Sequence, residues 1–215
     1  MRPRAERGRR RPAIDATTVL IRTIARPSVA DAVESALAEK LPVLVVSDGK
    51  DLRGTRLDRC DPTRVSVVTL GRSFGWYGSM AINVGAALAR TPYVSLLDDD
   101  DALVPGAGDV IRDRLAKRPD VDIWIPTLVY KDGHRSCLKE DGGFRFGNVS
   151  HPTYRVDVFT RVPFTHDLTP EDAMPSVDYM HVWSCLNAGY SLDWFGADIV
   201  YIRPALENSF GLGRP

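Results

Sequence analysis

The chain has 215 residues, 44% of them hydrophobic, and a formal net charge of zero. That length and apolar fraction suffice for one buried core and favour one domain over two. The zero hides an asymmetry, because residues 1–12 hold six arginines and one glutamate while the remaining 203 residues carry the compensating −5.

The basic character is confined to a tail, residues 1–16, which has too few apolar side chains to pack and is expected to be disordered. The rest of the chain does not read as a nucleic-acid binder. No stretch approaches the roughly 20 apolar residues that span a bilayer, and the tail lacks the apolar region of a secretory signal. Cys60, Cys137 and Cys185 are odd in number and show no close metal-ligand spacing. A soluble, cytoplasmic protein is expected.

In chain order, Thr17–Thr23 is a β-branched run that predicts a strand. After Pro27-Ser28, the residues Val29, Ala32, Val33, Ala36 and Leu37 recur at helical spacing. Leu41–Val46 is a second apolar strand, ending in the turn Ser47-Asp48-Gly49, and Arg64–Leu70 is a third. Ser79–Ala89 is small, apolar and helical in spacing. The strand Tyr93–Leu97 then runs into Asp98-Asp99-Asp100-Asp101. A helix is expected from about Pro105 to Ala116, and a strand over Val121–Tyr130. Residues 131–175 read as loops and short strands, Ser176–Asn187 as a helix stopped at Gly189, and Ser191–Phe195 and Asp198–Ile202 as two short strands. Such alternation predicts an α/β sheet with parallel pairing and ligands beyond the carboxyl ends of its strands, where Asp48 and the four aspartates lie.

Four adjacent carboxylates repel unless something positive sits among them. Mg²⁺ or Mn²⁺, hard cations that take oxygen ligands and keep positions open for substrate phosphates, would neutralise them. The alternative is a solvated turn in which one aspartate caps the next helix.

Taken together and in order, Val19–Pro27, Val43–Gly49, Ser79–Ala89 and Leu97–Pro105 resemble the family-2 glycosyltransferases of the GT-A fold, which move a sugar from a nucleotide diphosphate sugar with inversion. The resemblance covers roughly residues 17–203. It implies an α/β, Rossmann-like mixed sheet flanked by helices in a single domain, 17–215. It also implies a nucleotide-sugar donor, UDP-linked by family precedent and Asp48, a carbohydrate or small-molecule acceptor, a Mn²⁺ or Mg²⁺ cofactor, and room for a homodimer.

By the same resemblance Thr23 contacts the nucleotide and Asp48 accepts a hydrogen bond from the base. Asn83 lies near the donor, Asp98 and Asp99 face the ribose and metal region, and Asp100 coordinates the cation. Ala25 stands where the family often has an aromatic residue, and Ile82 stands where it has an arginine, for which Arg72 is the substitute. In Val177–Trp183, Val177 replaces a glutamate and Asp178 is the general base that takes the acceptor's proton, with Asp172 in Glu171-Asp172 as its rival. Trp76 and Tyr77, or Tyr179 and Trp183, are aromatic candidates for covering the nucleotide or stacking on an acceptor ring. His166 or His181 is a candidate to complete the cation's coordination. The three departures at positions 25, 82 and 177 motivate the alternative of a non-catalytic nucleotide-sugar or glycan-binding module.

Overall fold

A computed structural model describes residues 16–75, 78–137, 150–165 and 177–202. The elements are β1 (Thr17–Thr23), α1 (Val29–Ala38), β2 (Val43–Ser47), β3 (Val65–Thr69), α2 (Ser79–Leu88), β4 (Tyr93–Asp98), β5 (Ala102–Leu103), α3 (Ala107–Lys117), β6 (Ile123–Tyr130), β7 (Arg135–Ser136), β8 (Thr153–Arg155), α4 (Val158–Arg161), α5 (Val177–Asn187) and β9 (Leu192–Ile202). They build a 9-stranded sheet in the order β3-β2-β1-β4-β8-β6-β9-β5, with β7 beside β6.

The first four strands pair in parallel, as the alternating pattern predicts. Beyond them β8 runs antiparallel to both β4 and β6, and β9 is parallel to β6, so the sheet is mixed. The two short strands expected over 191–202 are one strand of 11 residues. Gly196, at φ +67°, supplies the irregularity in its pairing with β6 that the sequence mimics as a break.

The strands β1, β2 and β4 are buried along almost their whole length, as in sheets covered on both faces. Helix α2 sits so close to β1 that a Cβ at Gly85 would lie 2.3 Å from Leu20 Cδ1, which explains this helix's small residues by packing alone. The carboxylate of Glu39, just past α1, accepts the N–H groups of Gly106 and Gly108 at 3.0 and 2.8 Å. A negative charge thus satisfies donors that the start of α3 leaves open, and it locks the two helices together. Inside the sheet a row of hydroxyls, Thr17–Ser95–Thr153, bridges β1, β4 and β8 at 3.0 and 2.8 Å, so the polar groups buried there are paired.

Helix α5 is tied down by His181. Its Nε2–H donates to the Val162 carbonyl at 2.7 Å, its Nδ1 accepts from the Tyr154 hydroxyl at 3.0 Å, and its ring stacks on Phe164 with centroids 3.8 Å apart. Burial drives its pKa down from 6.5 to about 4, so the imidazole is neutral when folded. Between those values the unfolded chain binds the extra proton. The stability that His181 contributes is therefore complete above about pH 6.5 and is lost as pH falls toward 4, a span worth about 3 kcal/mol. His181→Gln should flatten the pH dependence of urea unfolding across that window relative to the wild type, whereas parallel curves would contradict the assignment.

Candidate active site

In the parallel register of β1 and β4, Arg22 lies opposite Asp98, so the cations at the end of one strand meet the carboxylates at the end of the other. Arg22 Nη2 pairs with Asp98 Oδ1 at 2.9 Å. From the loop after β1, Arg26 Nη1 reaches Asp99 Oδ1 at 2.7 Å and Asp100 Oδ2 at 3.1 Å. The Thr23 hydroxyl donates to Asp99 Oδ2 at 2.5 Å and accepts the Ala25 N–H at 3.0 Å, which fixes the bend after the strand.

The other wall comes from residues far along the chain. His151 Nε2 lies 2.9 Å from Asp101 Oδ2 and 3.6 Å from Asp98 Oδ2. Its Nδ1 meets the Ser150 hydroxyl at 2.8 Å, and Ser150 Oγ and the His151 N–H both donate to Asp178 Oδ2 at 3.4 Å. Asp178, in the first turn of α5, is thereby joined through Ser150 and His151 to the acidic cluster. Its second oxygen faces Arg22 Nη1 at 3.8 Å. Among the described residues, Ala25 (φ 68°), Lys40 (φ 58°), Cys137 (φ 59°) and His151 (φ 53°) hold left-handed backbone without being glycine. Two of these lie in the site, where backbone strain is characteristically held.

The charges are mutually tuned. Burial opposes ionisation of Asp98, but Arg22 and His151 outweigh it and hold the carboxyl below its ordinary value. Burial pushes Asp99 and Asp100 up, and Asp101 and Asp98 add to the effect at Asp100. His151 is raised to about 9, because Asp98, Asp101 and Asp178 overcome its burial. At neutral pH it is an imidazolium among carboxylates.

Asp98, Asp101 and His151 offer three ligand atoms all within 4.8 Å of one another. Two carboxylates and an imidazole suit Mn²⁺, and the surplus of aspartates over the cations Arg22 and Arg26 leaves negative charge for a divalent ion to neutralise. The residues present therefore fit a metal, which would take the place of the proton on His151 Nε2. Asp100, the ligand expected from the sequence, stands outside this trio and faces Arg26.

The remaining predicted residues separate into two groups. Asp48, at the end of β2, is buried; its Oδ1 accepts the Phe74 N–H at 2.8 Å, and its Oδ2 accepts the Gly75 N–H at 2.8 Å and the Ser73 hydroxyl at 3.1 Å. It therefore holds the loop after β3. Gly49, at φ +73°, fits beneath that loop, where a Cβ would lie 2.1 Å from Ser73 N. Arg72, on the same loop, is exposed and sits 4.8 Å over the Phe74 ring. Asn83 faces another segment, donating to and accepting from the backbone of Phe164 at 2.9 Å each way. Ile82 is buried in the core, so the family's arginine position points inward here. His181 belongs to the core as described, whereas Asp172, His166, Trp76 and Tyr77 lie outside the described residues.

Sequence reasoning did not single out His151, Asp101 or Arg22, which the structure brings into this cluster. The signal for Arg22 was present, since a lone charge at the end of a buried strand must point at something. His151 offered none, because its place depends on the path of an irregular segment. If Asp48 is the loop's anchor, Asp48→Ala should accelerate hydrogen exchange at the Phe74 and Gly75 amides and lower stability by about 1–3 kcal/mol, the usual cost of unpaired buried donors. Unchanged exchange at both amides would refute that role.

None of the curated proteins matches the chain. Among solved structures it is similar to a Staphylococcus aureus TarS fragment, residues 1–349 (TM-score 0.64, 14% identity, 87% of this chain and 60% of that one), and to the same fragment in complex with UDP-GlcNAc (TM-score 0.63, 15% identity, 93% and 61%). It is also similar to the mannosyltransferase PcManGT from Pyrobaculum calidifontis in complex with GDP-Man and Mn²⁺ (TM-score 0.61, 17% identity, 91% and 58%). The chain thus spans about three fifths of the length of these structures, and at such identities the likeness establishes the GT-A fold. Among the described residues no helix is long and apolar enough to cross a membrane. The model of glycosyl transferase family 2 matches residues 18–161, more than half of the sequence, and the chain belongs to that family.

Proposed function

We propose that this domain is an inverting, metal-assisted glycosyltransferase that moves a sugar from a nucleoside-diphosphate sugar to the hydroxyl of a carbohydrate or small-molecule acceptor. The observation that carries the reading is the meeting of Asp98, Asp101 and His151 with Asp178 at the carboxyl ends of β1 and β4. One group can hold a cation, and the other is a buried carboxylate beside it.

The donor is proposed to be a UDP-sugar, in keeping with the UDP-GlcNAc bound in the TarS complex; the GDP-Man of the mannosyltransferase makes guanosine the competing base. Asp48 Oδ1 receives one N–H and keeps a lone pair for a base imino group. Asp98, Asp101 and His151 would hold the cation, with Arg26 and Asp100 beside them and Thr23 fixing the loop. A bound divalent ion supplies Lewis-acid stabilisation of the departing diphosphate. Asp178 removes the acceptor proton on the face opposite the leaving group, and Ser150 and His151 hold its other oxygen in place.

Calorimetric titration of UDP and GDP, each with and without Mn²⁺, tests the donor site. Binding should require the metal, and Asp98→Asn or His151→Ala should weaken it about tenfold or more, while Asp100→Ala should weaken it less. The reverse order would return the ligand role to Asp100, and metal-independent behaviour throughout would sink the metal reading. Asp178→Asn should keep nucleotide affinity but lose about 10²–10⁴-fold in turnover. Tight nucleotide-sugar binding without any turnover by the wild type would favour the non-catalytic module.

A further inference from the structure

Two buried polar atoms beside the acidic cluster, Arg22 Nη1 and Asp178 Oδ1, form a long ion pair at 3.8 Å and have no hydrogen-bond partner among the described residues. The Asp178 side chain is 8% exposed, so bulk water does not reach it freely, and in the ligand-free protein a single bound water can hold the place that a substrate hydroxyl takes. Buried donors and acceptors are nearly always paired, and 3.8 Å is too long for these two to pair directly. One oxygen placed between them would reach both. It must accept from the guanidinium N–H and donate to the carboxylate. A hydroxyl does both, whereas a carbonyl or phosphate oxygen cannot donate and an ammonium cannot accept.

We infer that Arg22 and Asp178 form a two-point clamp for a substrate hydroxyl. The clamp is held from outside on every side. The other nitrogen of the guanidinium is fixed on Asp98 at 2.9 Å, and the other oxygen of Asp178 receives Ser150 and the His151 N–H. The stem of Arg22 lies against Gly78, whose φ is +74° and where a Cβ would come within 2.8 Å of Arg22 Cδ and 3.3 Å of its Cβ. Glycine at position 78 therefore gives the arginine its path across the mouth of β1. The pairing of Arg22 with Asp98 across neighbouring strands sets its depth.

The inference rests on the glycosyl-transfer reading of the same cleft and adds a residue to it. Arg22 donates to a lone pair of the acceptor oxygen and so turns its O–H toward Asp178 Oδ1. The oxygen then bonds to the anomeric carbon, its proton passes to Asp178, and the bond from that carbon to the diphosphate breaks, releasing the nucleoside diphosphate. A hydroxyl of the donor ring has the same chemistry, so the experiment must tell the two sources apart.

Arg22→Lys keeps the charge and can pair with Asp98 but cannot span to Asp178. Gly78→Ala displaces the arginine without changing any charge, and thermal unfolding identifies which variants fold. A high-resolution crystal structure of the wild type should show one oxygen about 2.6–3.2 Å from both Arg22 Nη1 and Asp178 Oδ1, and this oxygen should be lost in Arg22→Lys. Release of UDP from UDP-GlcNAc, with water as acceptor, should fall about ten- to hundredfold in Arg22→Lys with unchanged affinity for UDP and UDP-GlcNAc if the clamp holds the acceptor. A fall of that size in UDP-GlcNAc affinity, with UDP affinity unchanged, would assign the clamp to the donor ring. Direct contact between the two side chains with nothing between them, or an Arg22→Lys protein equal to wild type in turnover and both affinities, would overturn the clamp. Failure of UDP to bind the wild type would remove the donor assignment instead, and the crystal structures would still decide the clamp.

Discussion

Everything at the open end of this sheet depends on neutralising a run of aspartates. Asp98 to Asp101 follow β4 without a break and Asp178 is brought against them, while Arg22, Arg26 and His151 are the cations that touch them. Unpaired, carboxylates this buried would be protonated or would force the strand ends apart. Paired, they fix the ends of β1, β4 and α5 and the segment at residues 150–151 relative to one another. The charge network therefore works as an assembly joint as well as a site. It also explains why strained backbone at Ala25 and His151 persists, since each is held by bonds to the same network.

Sheet register turns this joint into a precise one. Arg22 and Asp98 are partners in adjacent parallel strands, and a slip by one residue would turn Arg22 to the other face and leave Asp98 without its guanidinium. The same register is specified independently by apolar packing, with Val19, Leu20, Ile21, Leu96 and Leu97 all buried, and by the hydroxyl row through Ser95. Gly85 lets α2 press against Leu20, and Gly78 at the head of that helix lets Arg22 pass. Packing and charge thus select the same alignment, a consistency expected of sequences with a single well-defined native state.

Much of this was legible because local physics determines it. The strands β1 to β4 and the helices α1, α2, α3 and α5 follow from apolar periodicity and turn chemistry, and the acidic run announces a cation requirement by electrostatics alone. What stayed hidden depends on tertiary path. No pattern places His151 beside Asp101, because the two come together only when β8 pairs antiparallel with β4 and brings residue 151 back to the strand's carboxyl end. The long strand β9 reads as two because Gly196 looks like a turn until β6 supplies hydrogen bonds on both sides of it. His181, a structural histidine by default and a candidate ligand only by resemblance, is a core residue, and a histidine on the buried face of a helix gives the same sequence signal in either role.

Asp48 is a scaffold side chain that, on the proposed donor reading, keeps capacity for a substrate as well. Its carboxylate accepts two backbone N–H groups and a hydroxyl from residues 73–75, which anchors that loop over the end of β2. A carboxylate has about four lone-pair positions, so three internal donors leave capacity for one more. An aspartate already held by its own loop presents that remaining lone pair in a fixed direction, so a base N–H bound there, as proposed, would cost little side-chain entropy. Arg22 is held in the same way from the opposite wall, with one nitrogen on Asp98 and another facing Asp178 without a hydrogen bond. The internal bonds around this site therefore give its remaining hydrogen-bonding positions their direction, and the same bonds hold the loop at residues 73–75 and the ends of β1 and β4 in place.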